Sequence, residues 1–323
     1  MAVVVRMKSA GGPDQLEVAE VTVPDPGPGE IRIRQTAIGV NFIDIYQRAG
    51  LYAPPSLPAV LGVEGAGIIT AVGPDVTDLE VGEHIFYGGA VGAYASERLL
   101  PAWRAIRLPS SISDAVGATA MARGATAHML TTRVYPVSVG TIVLVHSAAG
   151  GLGTLLVIWA KQRGATVIGT VGSAPKAAIA RQAGADHVIV GRDADFAREV
   201  ATLTDGRGAD VAYDGVGATT LQKTFDCVRP FGVVASIGQS GGPIPLLSVE
   251  ELGPRRSIVL ARPSVMRYMS DPDSYRRAAA DVVAMLQAGI VQDVGREYPL
   301  AQAALAQADL EAGRTTGCLV LVP

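Results

Sequence analysis

"VLVHSAAGGLGTLLVIWA", Val143 to Ala160, decides how this chain is read. An apolar run leads into a cluster of small residues, and a helical pattern follows. Leu152, Leu155, Leu156 and Trp159 recur at the i, i+3, i+4, i+7 spacing of one helix face. Strand, glycine turn and helix is the arrangement that holds a dinucleotide's pyrophosphate at a helix N-terminus. Ala148, Gly150 and Gly153 occupy the three positions of a G-x-G-x-x-G fingerprint, with Gly151 as an additional glycine. The first position makes the tight turn, which alanine can also do. The second must lack a side chain so that backbone can approach the pyrophosphate. The third lets the helix pack close to the strand. A lone fingerprint is weak, since a turn that merely packs shows the same glycines.

The context strengthens it. "TIVLVH", "TVIGTV", "HVIV", "DVAYDGVG", "VVASIG" and "SIVLA" read as six strands, alternating with segments such as "APKAAIARQAGA" and "ADFAREVATLTDGRG". That alternation predicts a parallel sheet with crossover helices. The first third differs. "AVVVRM", "LEVAEVTVP", "EIRIRQTAIGV" and "GAGIITAVG" are short, β-branched and bounded by turns such as "GGPD" and "PDPGPGE". They predict a β-rich, barrel-like domain. From Ser113 the composition turns helix-forming in "SDAVGATAMARGATAHMLTTRV". Near the C-terminus, "SYRRAAADVVAMLQAGI" places Tyr275, Val282, Val283 and Leu286 on one face, and "PLAQAALAQADLEAG" ends at Gly313, a suitable helix stop. The closing "CLVLV" is expected to return to the N-terminal domain and make it discontinuous.

Charge and cysteine usage narrow the function. The net charge is −3 with no basic block, so neither nucleic acid nor an anionic membrane is expected as a partner. The two cysteines, Cys227 and Cys318, lie far apart, and two cysteines with four scattered histidines cannot build a zinc site of standard spacing. No apolar run of about 18 residues is present to span a bilayer. The opening "MAVVVRMKSAGGPD" lacks a secretory-signal layout, so a cytoplasmic location is expected.

Downstream of the glycine turn the sequence speaks to which dinucleotide. For NAD, an acidic residue is expected about 20 residues on, against the ribose 2′-hydroxyl. Here "TVIGTV" is followed by Gly172, Ser173 and then Lys176. No carboxylate repels a 2′-phosphate, Ser173 can donate a hydrogen bond, and Lys176 brings charge. Arg192, after the third strand, can add a second cation. The alternative is that Lys176 is a solvated lysine on a helix face. The missing acid favours NADPH.

The chain resembles the zinc-free quinone oxidoreductases of the medium-chain dehydrogenase/reductase superfamily, the group that includes zeta-crystallin. The resemblance runs over essentially the full length. It is carried by "AIGVNFIDIYQRAGLY" (Ala37–Tyr52), "LPAVLGVEGAGII" (Leu57–Ile69), "HSAAGGLG" (His146–Gly153), "GTVGSAPK" (Gly169–Lys176), "DVAYDGVG" (Asp210–Gly217), "ARPS" (Ala261–Ser264) and "GRTTGCLVL" (Gly313–Leu321). It implies an α/β chain: a GroES-like β-rich catalytic domain over 1–123 and 268–323, and a Rossmann doubly wound parallel-sheet domain over 124–267. It also implies a cleft between them, NADPH and a homodimer. Zinc-dependent relatives have ligands at the positions of Asn41 and Val63, and this chain has neither.

Carried over by position, the resemblance places Asn41, Asp44, Tyr46 and Tyr52 at the nicotinamide and substrate end. Thr126 would contact the nicotinamide region. Gly150, Gly151 and Leu152 would hold pyrophosphate, and Ser173 and Lys176, after Gly172, would meet the 2′-phosphate, to which Arg192 is added for its charge alone. Gly238, Gln239, Ser240, Ala261, Arg262 and Pro263 would flank the nicotinamide ribose and carboxamide, with Arg314 facing the cofactor or the cleft. Gly191 departs from the tyrosine common in close relatives, and Cys318 from a lysine. Each site residue also has a structural reading. Asn41 can be a buried amide, Asp44 a helix cap, and Tyr46 and Tyr52 packing. Glu64 can be a buried carboxylate held by a backbone amide or a cation, and His146 a structural histidine.

Without a Lewis acid the oxyanion of an unactivated ketone lacks support, whereas a conjugated electrophile spreads the incoming charge itself. Quinones, reduced by hydride or by one-electron steps, fit best. Asn41 and Tyr52 would position the acceptor, and solvent would supply protons. An enoyl or alkenal reductase of the same superfamily is the first alternative. A non-catalytic crystallin-like or RNA-binding protein is the second.

Overall fold

In the computed structural model, which describes residues 1–218, 220–290 and 293–323, the chain divides into two units. One is Met1–Ala125 with Met266–Pro323, the other Thr126–Val265. In chain order the elements begin β1 (Ala2–Met7), β2 (Leu16–Val21), β3 (Glu30–Val40), α1 (Phe42–Arg48), β4 (Ala59–Val60), β5 (Glu64–Val72), β6 (His84–Gly88), β7 (Glu97–Pro101), β8 (Ile106–Arg107), α2 (Asp114–Gly117) and α3 (Met121–Met129). They continue with β9 (Ile142–Val145), α4 (Gly151–Gln162), β10 (Thr166–Val171), α5 (Ala174–Gln182), β11 (His187–Val190), α6 (Phe196–Leu203), β12 (Ala209–Asp214), α7 (Leu221–Thr224), β13 (Val228–Ser236) and β14 (Val259–Ala261). The chain closes with α8 (Val265–Met269), α9 (Pro272–Gln287), β15 (Val294–Pro299), α10 (Ala303–Glu311) and β16 (Cys318–Val322).

In the first unit β3 is the organising strand. It pairs antiparallel with β5 along most of its length, with β7 at its start and with β16 at its end. The last strand thus joins this unit, with Leu319 opposite Val40 and Leu321 opposite Ile38. The sheet order is β15-β16-β3-β5-β6-β8, and a second sheet holds β2-β1-β4. Ile31, Ile33, Ile38 and Val40 of β3 bury their side chains with Leu319 and Leu321 of β16. The single helical pattern expected from Ser113 is broken into α2 and α3, and α3 runs on into a π-helical turn over Leu130–Val134. Gly117, the last residue of α2, packs closely: a β-carbon there would lie 2.6 Å from Leu108 Cδ1.

The second unit is one parallel sheet in the order β11-β10-β9-β12-β13-β14. The chain builds outward from β9 to β11, then crosses back to β12. Strand order therefore reverses beside β9, and in such sheets ligands bind beyond the carboxyl ends of the strands at that switch point. The glycine turn leaves β9 there.

Ala148 fits this turn because of its neighbour strand. It is fully buried, and its backbone N–H donates to Thr170 O at 3.0 Å. Across from it, a β-carbon on Gly169 would lie 2.7 Å from the Ala148 methyl. The methyl lost from one position is gained at the other. We expect Gly169→Ala to cost about 1–3 kcal/mol by overpacking. Adding Ala148→Gly should recover part of that cost in urea unfolding. Additive losses in the double variant would contradict the pairing.

Candidate cofactor and substrate site

Gly153 is the least replaceable residue of the turn. A β-carbon there would lie 2.1 Å from the Ser147 carbonyl oxygen, a backbone atom that cannot swing away. Ser147 itself sits at φ 53°. Gly150 caps α4 with an extended backbone, its N–H donating to Ser147 O at 2.8 Å. Leu155, Leu156 and Trp159 bury the face predicted for this helix, with Leu152 half-buried at its first turn. The positive end of the α4 dipole thus lies at the C-terminal edge of the sheet.

Beyond β10, Gly172 and Ser173 lead into α5, where Ser173 is the N-cap and Lys176 lies exposed in the first turn. Arg192 follows β11 and lies across Gly172, where a β-carbon would be 3.4 Å from Arg192 Cγ. Gly191 takes φ 124°, a backbone conformation that disfavours a tyrosine at this position. Lys176 after β10 and Arg192 after β11 bring two cations, and the segment Gly172–Lys176 carries no carboxylate, a chemistry suited to a phosphate.

The loops after β12 and β13 are fastened together. Ser240 N–H and Oγ both donate to Gly215 O at 3.1 Å, and Gly241 N–H donates to Val216 O at 2.8 Å. Gly238 is buried, and a β-carbon on it would meet Gly215 O at 2.8 Å. Gln239 is half-buried in the same loop. Asp214, fully buried, accepts from the N–H groups of Val216 and Gly217 at 2.8 and 3.0 Å. Arg262, between the half-buried Ala261 and Pro263, donates to Ser236 Oγ at 2.9 Å. His146 is held on both ring nitrogens, by Thr170 Oγ1 and Thr224 Oγ1 at 2.9 Å each. Burial lowers its pKa, so it is a neutral structural histidine. Thr126 is half-buried on α3, at the start of this unit.

In the first unit, Asn41 is the N-cap of α1 and is buried. Its Nδ2 donates to Glu64 Oε1 at 2.7 Å, and its backbone N–H to Asp44 Oδ2 at 2.8 Å. Tyr94 OH also donates to Asp44 Oδ2, at 3.1 Å. Glu64, fully buried, takes Ala122 N–H on Oε2 at 2.7 Å. Both readings proposed for its partner, a backbone amide and a cation, apply: burial raises its pKa, and the charge of Arg123 is the first force opposing the rise. Tyr46 is half-buried and Tyr52 is 43% exposed, their rings packed edge to face at 5.8 Å with Phe42 beyond Tyr46.

One placement departs from the expectations. Asp44 has no exposed surface, and its Oδ1 has no hydrogen-bond partner among the described residues. It closes the first turn of α1 and cannot line a substrate surface. Arg314 is exposed and ion-paired. Its Nε and Nη2 both donate to Asp309 Oδ1, at 2.9 and 2.6 Å, within the first unit. Cys318 gains an account: buried on β16, its Sγ accepts from Arg123 Nη1 at 2.9 Å. Among the described residues no group of three or more histidine, cysteine or acidic side chains could hold a metal.

Comparison with known proteins agrees with this anatomy. Residues 27–110 match the alcohol dehydrogenase GroES-like domain and residues 151–284 the zinc-binding dehydrogenase domain. The chain belongs to the quinone oxidoreductase family of the medium-chain dehydrogenase/reductase superfamily. It is 38% identical to a quinone oxidoreductase of Pseudomonas aeruginosa, with all of both chains covered. It is 42% identical to a 2-haloacrylate reductase of a Burkholderia species, over all of this chain and 99% of that one. The crystal structure of the Escherichia coli quinone oxidoreductase complexed with NADPH superposes with a TM-score of 0.93 at 36% identity, covering 99% of this chain and all of that one.

Burial pushes the Asp44 carboxyl up from its ordinary 3.8 to about 7, against the lowering pull of the Asn41 N–H and the Tyr94 hydroxyl. Between those values the folded chain holds a proton that the unfolded chain releases. Asp44 therefore contributes stability in acid that is lost as pH rises from about 4 to about 7, and nothing further changes above that. Asp44→Asn should flatten this part of the stability profile in urea unfolding between pH 4 and 8. An unchanged slope would show that Asp44 does not titrate there.

Proposed function

We propose that this chain is an NADPH-dependent quinone reductase that works without a metal. The observation that carries the cofactor choice is the end of β10. Lys176 follows it in the first turn of α5, no carboxylate lies in the segment Gly172–Lys176, and the Arg192 stem packs against Gly172. Gly150, Gly151 and Leu152 at the α4 N-terminus would take the pyrophosphate. The Gly238–Ser240 loop, Ala261–Pro263 and Thr126 would take the nicotinamide end. Bound there, NADPH supplies a hydride. The protein holds the loops that frame the ring and offers Asn41, Tyr46 and Tyr52 to the acceptor. Protons come from solvent.

The substrate class follows from charge and shape. Phe42, Tyr46 and Tyr52 form an aromatic run on and after α1, which suits a neutral planar acceptor. The 2-haloacrylate reductase among the relatives keeps a conjugated acid or alkenal as the second reading. Steady-state rates with 1,4-benzoquinone, 9,10-phenanthrenequinone, 2-alkenals and 2-haloacrylates decide between them. Good alkenal or acrylate turnover without quinone turnover would remove the quinone reading. Lys176→Ala and Arg192→Ala should each weaken NADPH binding by about tenfold or more while leaving NADH nearly unchanged, since a charge-assisted hydrogen bond to phosphate is lost. Equal losses for both cofactors would count against the phosphate role.

We also propose a cytoplasmic homodimer joined at the β14 edge of the parallel sheet. Val259 on β14 is 53% exposed, and Phe231, Leu246 and Val249 in the neighbouring turns are 78% or more exposed. Apolar side chains around an open strand edge are the chemistry that a second copy of the chain would cover. Sedimentation velocity should report a dimer for the parent chain and a monomer for Val259→Lys. A monomeric parent chain would end this proposal.

A further inference from the structure

We infer that Glu64 is the positioning residue of the substrate end, acting on the acceptor through Asn41. The inference rests on the reading that Asn41 meets the substrate. Glu64 is fully buried, and its slot is made for it: a β-carbon on Gly39 would lie 2.7 Å from Oε1 and 2.9 Å from Cγ. The β3 strand has no side chain there, where a β-carbon would also meet the Ala118 carbonyl oxygen at 2.5 Å, and the carboxylate lies in the space beside it. Inside the slot both oxygens accept. Oε1 takes the Asn41 side-chain amide and Oε2 the Ala122 backbone N–H, each at 2.7 Å. One carboxylate thereby joins the N-cap of α1 to the first turn of α3.

The chemistry of the donor set explains why the residue is acidic. Both partners are donors, and of the side chains this size only a carboxylate accepts at both ends. A glutamine of the same shape accepts at one end and presents N–H at the other. Either Asn41 or Ala122 then faces a donor, and a buried donor without an acceptor is costly. The Ala122 N–H is fixed in the backbone, so Asn41 is the partner that can turn away. Asn41 in turn is held at its backbone by Asp44 Oδ2, which leaves side-chain rotation as its remaining freedom. Glu64 thus sets which way the Asn41 amide points without touching the acceptor itself.

The experiment is a double-mutant cycle of Asn41→Ala and Glu64→Gln, read as kcat and KM for 1,4-benzoquinone. A third variant, Glu64→Asp, shortens the reach but keeps two acceptors. Residues acting as one unit lose activity once, so the account expects Glu64→Gln, Asn41→Ala and the double variant all to fall by a similar factor of about ten, mainly in kcat. Glu64→Asp should retain more activity than Glu64→Gln. A second readout is independent of turnover: in 15N-asparagine-labelled protein, the side-chain amide signal absent from Asn41→Ala should lose its protection from hydrogen exchange in Glu64→Gln. Multiplicative losses in the double variant, with that amide still protected, would overturn the inference while leaving Asn41 at the substrate. An Asn41→Ala variant with parental quinone kinetics would remove the reading of Asn41 and the inference with it.

Discussion

The contact between Gly153 and the Ser147 carbonyl is the constraint on which the nucleotide half depends. With 2.1 Å between that oxygen and the place of a β-carbon, α4 can start where it does only if residue 153 has no side chain. Its start fixes where the helix dipole ends relative to β9. The order of the sheet then places that end at the strand reversal, and the loops after β12 and β13 are pinned beside it through Gly215, Val216 and Asp214. One close approach, repeated in kind at Gly238, shapes the surface that a dinucleotide would meet.

The first unit solves a different problem with buried charge. Asp44 and Glu64 are both fully buried, which is unfavourable for two carboxylates unless their oxygens are satisfied. Hydrogen bonds from Asn41, Tyr94 and Ala122, and the charge of Arg123, offset part of the cost, while Asp44, with Oδ1 unpartnered among the described residues, stays raised to about 7 by burial. The result is a short helix, α1, whose N-cap cannot drift. The aromatic side chains that follow Asn41 on that helix are carried by the same anchor. At the two positions where the resemblance expects zinc ligands in zinc-dependent relatives, this chain has a hydrogen-bonded amide, Asn41, and a buried valine, Val63.

Much of this was legible in the sequence, for local reasons. The glycine turn, the six apolar strands and the missing acid after β10 are all set by neighbours within a few residues. The return of "CLVLV" to the first unit could be anticipated because six strands already filled the parallel sheet. The short strands β6, β7, β8 and β15 were not anticipated, since their two to six residues carry too little alternation. The helix after Ser113 was expected whole, yet it is divided into α2 and α3. Glu64 was recognised as a buried carboxylate, but its partners lie 23 and 58 residues away. Nothing in the local pattern identifies Ala122 or the pairing of Arg123 with Cys318. Asp44 was placed at the site by resemblance, while burial leaves it no surface to offer.

The central claim is that two cations and a metal-free site suffice for NADPH-dependent quinone reduction. It is tested most directly by following NADPH oxidation with 1,4-benzoquinone after exhaustive dialysis against a chelator. The account predicts undiminished turnover, strong preference for NADPH over NADH, and no stimulation by added zinc. Turnover that vanishes on chelation and returns with zinc, or that runs equally well on NADH, would contradict it.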